Sequence, residues 1–485
     1  MYRHGIYVSE QETSMIAPLN GTAGLQVVIG TAPVHLLADP AAAINKPLLV
    51  YSKAEAIAAV GYSDDFASFT LCEAISASFA VVNVAPLVLI NVLDPAKHSA
   101  EMEEKTVQIN SGMAVVEETG VLLSTLVVKN GEETLTAEED YTAVYNADGT
   151  VSIVLIEGGK ANGATNLTVS GKKVDASKVT AADIVGGVDA LTGKETGLEL
   201  VRQIYPRFGM TPGILLAPGW SHNPTVAAAL QAKTEGINGN FDCVTYLDIS
   251  TDAEEDGAEV YTDVRTAKEA LGATSPHAAA LWPMGAVGDK VYYLSALFAA
   301  LTAYTDASNS DVPYESPSNK TVHIDGLCDD DGNTINLTYN QALVVDAAGI
   351  CTFLNFMGGW TAWGNHTACY PKSTDVKDYF IPLSRMFDYV TNTLIKTFWS
   401  KLDKPMNRRL IDTILDSANI WLNGLVGAGY LLGASVEMLE SENPLTSLMA
   451  GKIKLHVYMT PPSPAQEIDF VLEYDADYVT SALQS

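Results

Sequence analysis

Short, mostly apolar strands without polar alternation alternate with helix-forming segments in two stretches of this chain. They include GLQVVIG from Gly24, PLLV from Pro47 and LVLINV from Leu87. A strand that is mostly apolar on both faces is covered on both, as in a parallel sheet flanked by helices. The alternation stops near residue 95 and resumes after residue 180. The pattern therefore predicts an α/β core with a mostly parallel sheet, built discontinuously from residues 21–95 and 181–371.

Residues 96–180 differ in composition from the segments on either side. They are rich in Val, Thr, Gly and Glu and form short alternating patterns, which are typical of strands. Asp148-Gly149 predicts the turn of a hairpin in YTAVYNADGTVSIVLIE, and Ser170-Gly171 predicts a second turn. The segment is polar enough to lie on the outside. We therefore expect an outer all-β insertion domain at residues 96–180.

The last eighty residues predict a long helix followed by two strands. The helix pattern begins at Pro405, with apolar residues at helical spacing: Leu410, Ile414, Ala418, Trp421 and Leu425. KIKLHVYM (452–459) and EIDFVLEY (467–474) both alternate as strands, and prolines between them prevent a tight hairpin. These patterns predict an α+β C-terminal domain at 372–460 and a hinge with a strand arm at 461–485. The final strand has an apolar face and no evident sheet, so a sheet in another copy is a candidate partner.

Residues 1–20 have the pattern of an extended N-terminal arm. Ile6 and Val8 alternate with Tyr7 and Ser9, and Pro18 precedes an Asn-Gly turn. Twenty extended residues reach about 60 Å, which exceeds what a domain of this size needs to close on itself. The alternative is an ordinary frayed terminus.

Charge and cysteine content exclude several classes of protein. The formal net charge is −30, so nucleic acid is not an expected partner, because phosphate contacts need clustered Lys and Arg. The acidity is uneven, since residues 372–460 contain 10 basic and 9 acidic residues.

The five scattered cysteines predict reduced, buried thiols. The longest membrane-like stretch, from Val291 to Tyr304, is too short to span a bilayer, so direct membrane insertion is not expected either.

A serine hydrolase is the main enzymatic alternative. PGWSHN places Ser221 beside His222 after a strand, but Asn223 stands where a nucleophile elbow needs glycine. Adjacent side chains are also poorly placed to form a nucleophile–base pair. A helix start is the preferred interpretation, with Asn223 or Ser221 as its cap and Pro224 in the first turn.

Three other motifs have structural explanations that we prefer. Gly427, Gly429 and Gly433 follow a helix rather than a strand, so they do not form a dinucleotide loop. Asp329–Asp331 lack the flanking ligands of a calcium loop and predict an acidic turn. The loop with Trp360 and Trp363 is expected to cover the core. We therefore predict no catalytic residue, no cofactor and no metal site; the eight histidines form no HxH or HExxH pair.

Several segments together resemble the sheath proteins of contractile phage tails and tail-like bacteriocins. The resemblance runs almost from end to end and is carried by these stretches: HGIYVSE, VIGTAPVHL, NKPLLV, DYTAVYNADGTVSIV, KVTAADIVGGVD, LLAPGWSHNPTVAAAL, GGWTAWGNHTACYP, FWSKLDKPMNRRLIDTILDSANIWLNGLV and GKIKLHVYMTPPSPAQEIDFVLEYD.

The resemblance implies a structural protein without enzymatic activity. Copies would form hexameric rings stacked as a helical polymer around an inner tail tube, with baseplate and tail-terminator proteins as further partners. Contraction of this sheath would drive the tube through a target cell envelope. Assembly would take place in the host bacterial cytoplasm, and the product would be a virion tail or a released particle. A type VI secretion-like sheath subunit is the alternative within the same class, although such sheaths usually comprise two chains.

The resemblance also implies roles for particular residues. Both terminal arms would add strands to sheets in neighbouring copies, through Ile6, Tyr7 and Val8 and through Ile468, Phe470, Leu472 and Tyr474. Hinges are expected at Thr13–Asn20 and Thr460–Gln466. The C-terminal domain would lie innermost, with four basic residues facing an acidic tube: Lys401, Lys404, Arg408 and Arg409. Basic residues at a helix start oppose the helix dipole, which favours some role beyond helix stability.

Overall fold

A computed structural model describes residues 19–20 and 22–483 of the chain. The predicted arm residues Ile6, Tyr7 and Val8 lie outside this part, as does most of the predicted N-terminal hinge. The last two hinge residues, Leu19–Asn20, form a short strand paired in parallel with Val84–Ala85.

The first half of the core forms strands and helices in the predicted order. Its elements are β1 (Leu19–Asn20), β2 (Gln26–Gly30), β3 (Pro47–Val50), α1 (Lys53–Val60), α2 (Thr70–Ser76), β4 (Val84–Ala85) and β5 (Leu87–Asn91). The Ser52 hydroxyl accepts a hydrogen bond from the backbone N–H of Glu55 (3.2 Å) and so caps α1. A π-helical segment, Ala77–Val82, extends α2 towards β4.

Residues 99–174 form one seven-stranded antiparallel sheet with its own apolar core. Its strands are β6 (Ser99–Asn110), β7 (Met113–Val116), β8 (Val127–Asn130), β9 (Glu133–Thr134), β10 (Tyr141–Tyr145), β11 (Val151–Leu155) and β12 (Asn166–Val174). The predicted turn at Asp148-Gly149 is confirmed between β10 and β11. The predicted turn at Ser170-Gly171 is wrong, because β12 continues along β6 with only a register shift there. A Cβ at Gly171 would lie 2.9 Å from the Thr125 carbonyl oxygen, so the glycine serves close strand packing.

The second half of the core returns to strand–helix alternation. Its elements are α3 (Ala181–Val185), β13 (Gly187–Val188), β14 (Glu195–Thr196), α4 (Ile204–Phe208), β15 (Ile214–Leu216), α5 (Pro224–Lys233), β16 (Val244–Asp248), α6 (Val264–Leu271), β17 (Ala278–Leu281), β18 (Met284–Val287), β19 (Lys290–Tyr293), α7 (Leu294–Ser308), β20 (Gly326–Cys328), β21 (Thr334–Ile335), α8 (Tyr339–Ala347), β22 (Ile350–Asn355) and β23 (Trp360–Trp363).

The central sheet is mostly parallel, as the apolar strands predict. Its order is β23-β22-β17-β16-β15-β2-β5-β3, and only the two edge strands run antiparallel to their neighbours. Helix α7 is almost entirely buried, which explains why Leu294–Tyr304 is apolar on every face. Among the described residues, no helix has both the length and the apolar character needed to cross a bilayer. All five cysteines are buried and unpaired, as predicted.

The last part of the chain combines helices with a small sheet. Its elements are α9 (Val376–Tyr379), α10 (Ile381–Phe398), α11 (Arg408–Gly427), β24 (Gly433–Glu437), α12 (Leu445–Met449), β25 (His456–Thr460) and α13 (Ala476–Leu483). The predicted long helix is α11. Helix α10 joins two cores, because Ile381 packs in the main core whereas Met386 and Val390 pack with α11 and β24.

Two strand predictions in this region need correction. The strand predicted at 452–459 begins only at His456, because the segment before it is held by the side chain of Asn443, which bonds the backbone N–H and C=O of Lys454. EIDFVLEY (467–474) forms no strand in the single chain. A strand needs a neighbouring backbone to complete its hydrogen bonds, and none lies beside this segment within the described chain.

Candidate assembly interface

Strands β24 and β25 form a two-stranded antiparallel sheet with one side closed. The backbone N–H of Val436 in β24 donates to Asn419 Oδ1 (2.9 Å), and the Val436 carbonyl accepts from Asn419 Nδ2 (3.0 Å). Asn419 belongs to α11, which packs beside β24. The side-chain amide therefore occupies the backbone groups that another strand would use on this side.

The opposite side of the sheet is open. Since Val436 turns its backbone groups away from β25, its partner Val457 turns its own groups away from β24. Met459, two residues further along β25, has the same orientation. Within the described chain no third strand joins this sheet. The outer edge of β25 is therefore free to pair with a strand from elsewhere.

An apolar groove of about 550 Å³ lies between α10, α11 and the small sheet. Its apolar lining comes from both helices and from the sheet: Leu394, Phe398, Leu402, Met406, Leu410, Ile411, Ile414, Ala418, Val436, Ile453, Leu455 and Val457. Lys401, Lys404 and Lys452 also line it. The C-terminal core thus leaves an apolar groove open beside Val436 and Val457, and three lysines lie at it. We call this the β25 groove.

The C-terminal arm has the complementary character. Residues 467–475 belong to no helix or strand and are exposed throughout. The side chains of its alternating apolar face are 71–94% exposed: Ile468 71%, Phe470 83%, Leu472 94% and Tyr474 81%. Such a run of exposed large apolar residues marks an interaction surface. From Gln466 to the chain end the sequence has five acidic residues and no basic one.

The base of the arm is seated on the core. Pro461 is buried, and residues 462–466 line a cavity of about 450 Å³ together with Trp363 and Asp346. Gln466 Nε2 lies 3.0 Å from His366 Nε2. The aromatic segment with Trp360 and Trp363, predicted to be a core-covering loop, is strand β23 and packs against this arm base and the main core.

The four predicted tube-facing residues occupy two different positions. Lys401 and Lys404 line the β25 groove. Arg408 and Arg409 are exposed on the first turn of α11, where Arg408 Nε lies 3.6 Å from Asp412 Oδ2. The patch inferred from sequence therefore divides into a pair that lines the groove and a pair on the first turn of α11.

Ser221 is placed for structure and not for catalysis. Its hydroxyl is fully buried, donates to Asp248 Oδ2 (2.7 Å) and accepts from the Asp248 backbone N–H (2.9 Å). His222 instead stacks on Tyr293. Asn223 caps α5 by accepting from the Thr225 N–H, as predicted. Burial raises the pKa of Asp248, despite its bonds to Ser295 and Ser221.

The remaining motifs also form local structure. Asp329 accepts from the Asn333 N–H (2.7 Å) within the turn between β20 and β21, so the acidic turn is confirmed. Gly427 ends α11, Gly429 has φ +83° in the turn that follows, and Gly433 begins β24. In the part of the chain that the structure describes, no group of three or more His, Cys, Asp or Glu could hold a metal ion.

Comparison with known proteins shows which class of protein this chain resembles in sequence and fold. The tail sheath protein of Burkholderia phage BcepMu is 25% identical over 493 aligned residues, covering 99% of this chain and 98% of that protein. Two solved structures share the fold. One is a chain of the anti-feeding prophage baseplate, with 14% sequence identity and a TM-score of 0.59. The other comes from the sheath complex of an extracellular contractile injection system in its contracted state, with 14% sequence identity and a TM-score of 0.57. Each comparison covers at least 98% of both chains. No family model matches the chain.

These relationships confirm the resemblance inferred from the sequence. The chain is a structural subunit of the contractile tail sheath type, and its relatives are structural proteins rather than enzymes. Its relatives are parts of particle tails.

The sequence did not reveal three features of the interface. Asn419 is an ordinary polar position on an amphipathic helix, so its bonds to β24 had no sequence signal. The β25 groove forms from residues between Leu394 and Val457 that belong to several elements. The contact between His366 and Gln466 joins residues 100 positions apart. Of the features of this interface, only the apolar alternation of the C-terminal arm could be recognised from the sequence.

Proposed function

We propose that copies of this chain polymerise as stacked hexameric rings around an inner tail tube. The sheath would assemble in the bacterial cytoplasm on a baseplate, with a tail terminator at its other end. On triggering it would shorten and widen, and so drive the tube through a target cell envelope.

One observation carries this proposal: the chain has both an exposed, alternating arm and an unpaired sheet edge. Addition of a strand to an open edge provides directional main-chain hydrogen bonds, and side-chain pockets give specificity. The arm is amphipathic at the strand period of two, with apolar Ile468, Phe470, Leu472 and Tyr474 on one face. A monomer that keeps such a segment exposed risks aggregation, so its retention supports a role in assembly.

Strand exchange between copies is also compatible with contraction of the assembled sheath. The arms would keep neighbouring copies connected while the rigid cores slide and rotate. The free energy for contraction would come from interfaces that improve in the contracted state. Packed interfaces switch between discrete arrangements rather than deforming continuously, which favours an all-or-none change along the polymer.

Removal of the arm tests the proposal. Deletion of residues 467–485 should leave a folded protein, because every deleted residue with a described side chain is exposed. We expect thermal unfolding unchanged within a few degrees and no polymer by negative-stain microscopy, whereas the full chain forms hollow, regular tubes. Helical sheaths made by the truncated protein would contradict the strand-exchange account.

A further inference from the structure

A cavity of about 490 Å³ lies beside the segment that leads into β4, on the outer side of α7. Its volume is within the range of about 300–1,000 Å³ that is typical of sites that bury a small ligand, so several side chains could enter it. Two of its polar residues, Thr321 and His323, are exposed. We call this the α7 cavity, and its apolar lining consists of Val81, Val82, Leu301, Tyr304 and Val322.

Polar side chains of α7 and of the loop after it already have partners within the wall of this cavity. Thr305 and Ser308 each donate to a carbonyl one turn back in α7, at 2.8 Å. Glu315 accepts from Asn309 Nδ2 (2.8 Å) and is paired with Lys320. A polar ligand would compete with these bonds, whereas an apolar occupant leaves them intact. The α7 cavity therefore fits an apolar occupant.

The register of β1 directs the residues before it to this cavity. In the parallel pair of β1 and β4, Leu19 lies opposite Val84. Because parallel strands run in the same direction, the chain before Leu19 leaves at the end where Val82 precedes Val84. Val82 packs against the small cluster of Val84, Ala300 and Ala303, and it also lines the α7 cavity. The cavity therefore begins about two residues upstream of the β1–β4 pair.

The sequence before β1 has a segment of matching character. Residues 15–18, which lie outside the described part of the chain, read MIAP and are all apolar. The six residues before them, SEQETS (9–14), are all polar. Four extended residues span about 13 Å, enough to cross from Leu19 into the cavity. Burial of the apolar run is favourable, whereas the polar run is suited to solvent.

We infer that Met15 and Ile16 of the same chain fill the α7 cavity and so fix the N-terminal segment to the core. The polar linker 9–14, which spans at most about 20 Å, then sets how far residues 1–8 can reach from this point. Of the predicted N-terminal hinge, only Thr13 and Ser14 remain flexible. The inference concerns the N-terminal arm of the proposed function, but it needs no second copy.

Crosslinking between introduced cysteines tests this assignment in the full chain. Ile16→Cys/Tyr304→Cys would be treated with a short bis-maleimide, to which the five buried native cysteines should not react. Ile16→Cys/Ile57→Cys is the matched control, because Ile57 is 41% exposed, like Tyr304, but lies on α1 and does not line the cavity. The linked peptides of 16 and 304 should be at least tenfold more abundant than those of 16 and 57. Equal yields would overturn the inference.

Mixed isotopes distinguish the chain's own segment from that of a neighbouring copy. When isotopically heavy and light copies are mixed before assembly, a link within one chain joins only peptides of the same isotope. We expect only such links between 16 and 304. Links between heavy and light peptides would show that a neighbour's segment fills the α7 cavity. That result would overturn the inference and leave the proposed polymerisation standing.

Substitution of Ile16 provides a second measurement that does not depend on a crosslink. Tyr304→Cys should react with a bulky maleimide about tenfold faster or more when combined with Ile16→Asp, because burial of one large apolar side chain corresponds to at least that factor. Ile6→Asp, which alters the arm beyond the polar linker, should leave the rate within twofold. An unchanged rate with Ile16→Asp, or equal acceleration by Ile6→Asp, would contradict the inference. Neither readout uses polymer formation, so its failure is distinct from failure of the proposed function.

Discussion

The side-chain amide of Gln466 lies 3.0 Å from Nε2 of His366, and this contact fixes the base of the C-terminal arm to the core. His366 is itself held, since its Nδ1 lies 3.2 Å from Asp346 Oδ1 and its ring stacks on Tyr370 at 3.8 Å between centroids. An N–H on Nδ1 directed at Asp346 leaves Nε2 to accept from Gln466. The proline segment is therefore anchored at its far end, and we place the pivot of the arm after Gln466 rather than at Thr460–Gln466.

Spin labelling should detect this pivot. Gln466→Ala removes one hydrogen bond, which is worth about 1 kcal/mol and corresponds to roughly fivefold in an opening equilibrium. A nitroxide attached through Ala465→Cys should therefore show about a fivefold higher ratio of mobile to immobile label in the variant, and the five native cysteines are buried and should not take the label. A nitroxide attached through Val471→Cys should be mobile in both proteins. Equal mobility of the label at position 465 in the two proteins would show that the contact does not hold the hinge.

Arg385 and Asp306 form a buried ion pair between α10 and α7. Nη1 of Arg385 lies 2.9 Å from Oδ1 of Asp306, and a second bond joins Nη2 to Oδ2. Burial alone would lower the pKa of Arg385, but the Asp306 carboxylate raises it above its usual value. Arg385→Met should reduce the free energy of unfolding by about 3–5 kcal/mol, because Asp306 would be left buried without a partner.

The double variant Asp306→Leu/Arg385→Met is the control for this pair. With both charges replaced by apolar groups, most of the lost stability should return. Chemical denaturation of the arm-deleted protein would measure both variants. A double variant as unstable as Arg385→Met would show that the loss comes from packing rather than from the unpaired charge.

Glu73 should make stability depend on pH. This carboxyl in α2 is buried and accepts a hydrogen bond from the Tyr293 N–H at 2.5 Å. Its pKa is raised well above the usual value, mainly by burial and then by the nearby charge of Asp248. A raised folded pKa stabilises the protein fully below the unfolded pKa of about 4.3, and this stabilisation is lost as pH rises through the folded value. Glu73→Gln keeps the acceptor and removes the titration, so the variant should have the higher Tm at pH 8. The difference in Tm should vanish near pH 4; the same difference at every pH would exclude Glu73 as its source.

Arg408 and Arg409 should matter only when a tube is present. Both are exposed at the start of α11, where their charge opposes the helix dipole. Arg408→Glu/Arg409→Glu should therefore abolish nucleation of sheaths on purified tubes, while it leaves tube-free polymerisation intact. Microscopy that counts sheathed and bare tubes would measure this, and normal sheathing of the tubes would remove both residues from the tube contact.

Much of the fold follows from local patterns that the sequence displays. Apolar strands such as Leu87–Asn91 specify the parallel sheet because both of their faces must be covered, and Asp148-Gly149 specifies a hairpin through its turn geometry. The turn predicted at Ser170-Gly171 was wrong because a local pattern has more than one cause. Gly171 is required by close packing beside Thr125, but in the sequence it looks like a turn residue.

The candidate interface was less accessible from sequence because it depends on distant contacts. The arm was recognisable, since the alternation of Ile468, Phe470 and Leu472 is local. The closed edge of β24 was not recognisable, because Asn419 occupies it through bonds to Val436, which lies on another element. The prediction of a strand at 467–474 has a similar limit. The alternation is that of a strand, but the described chain places no neighbouring backbone beside the segment, and it forms no strand there.

A cryo-EM map of the sheath assembled from the full chain tests the central claim most directly. The account predicts that residues 467–474 of one copy lie as a strand beside β25 of another, with Phe470 and Leu472 in the β25 groove. A map in which β25 keeps a free edge, or in which the arm remains extended in solvent as it is in the single chain, would contradict it.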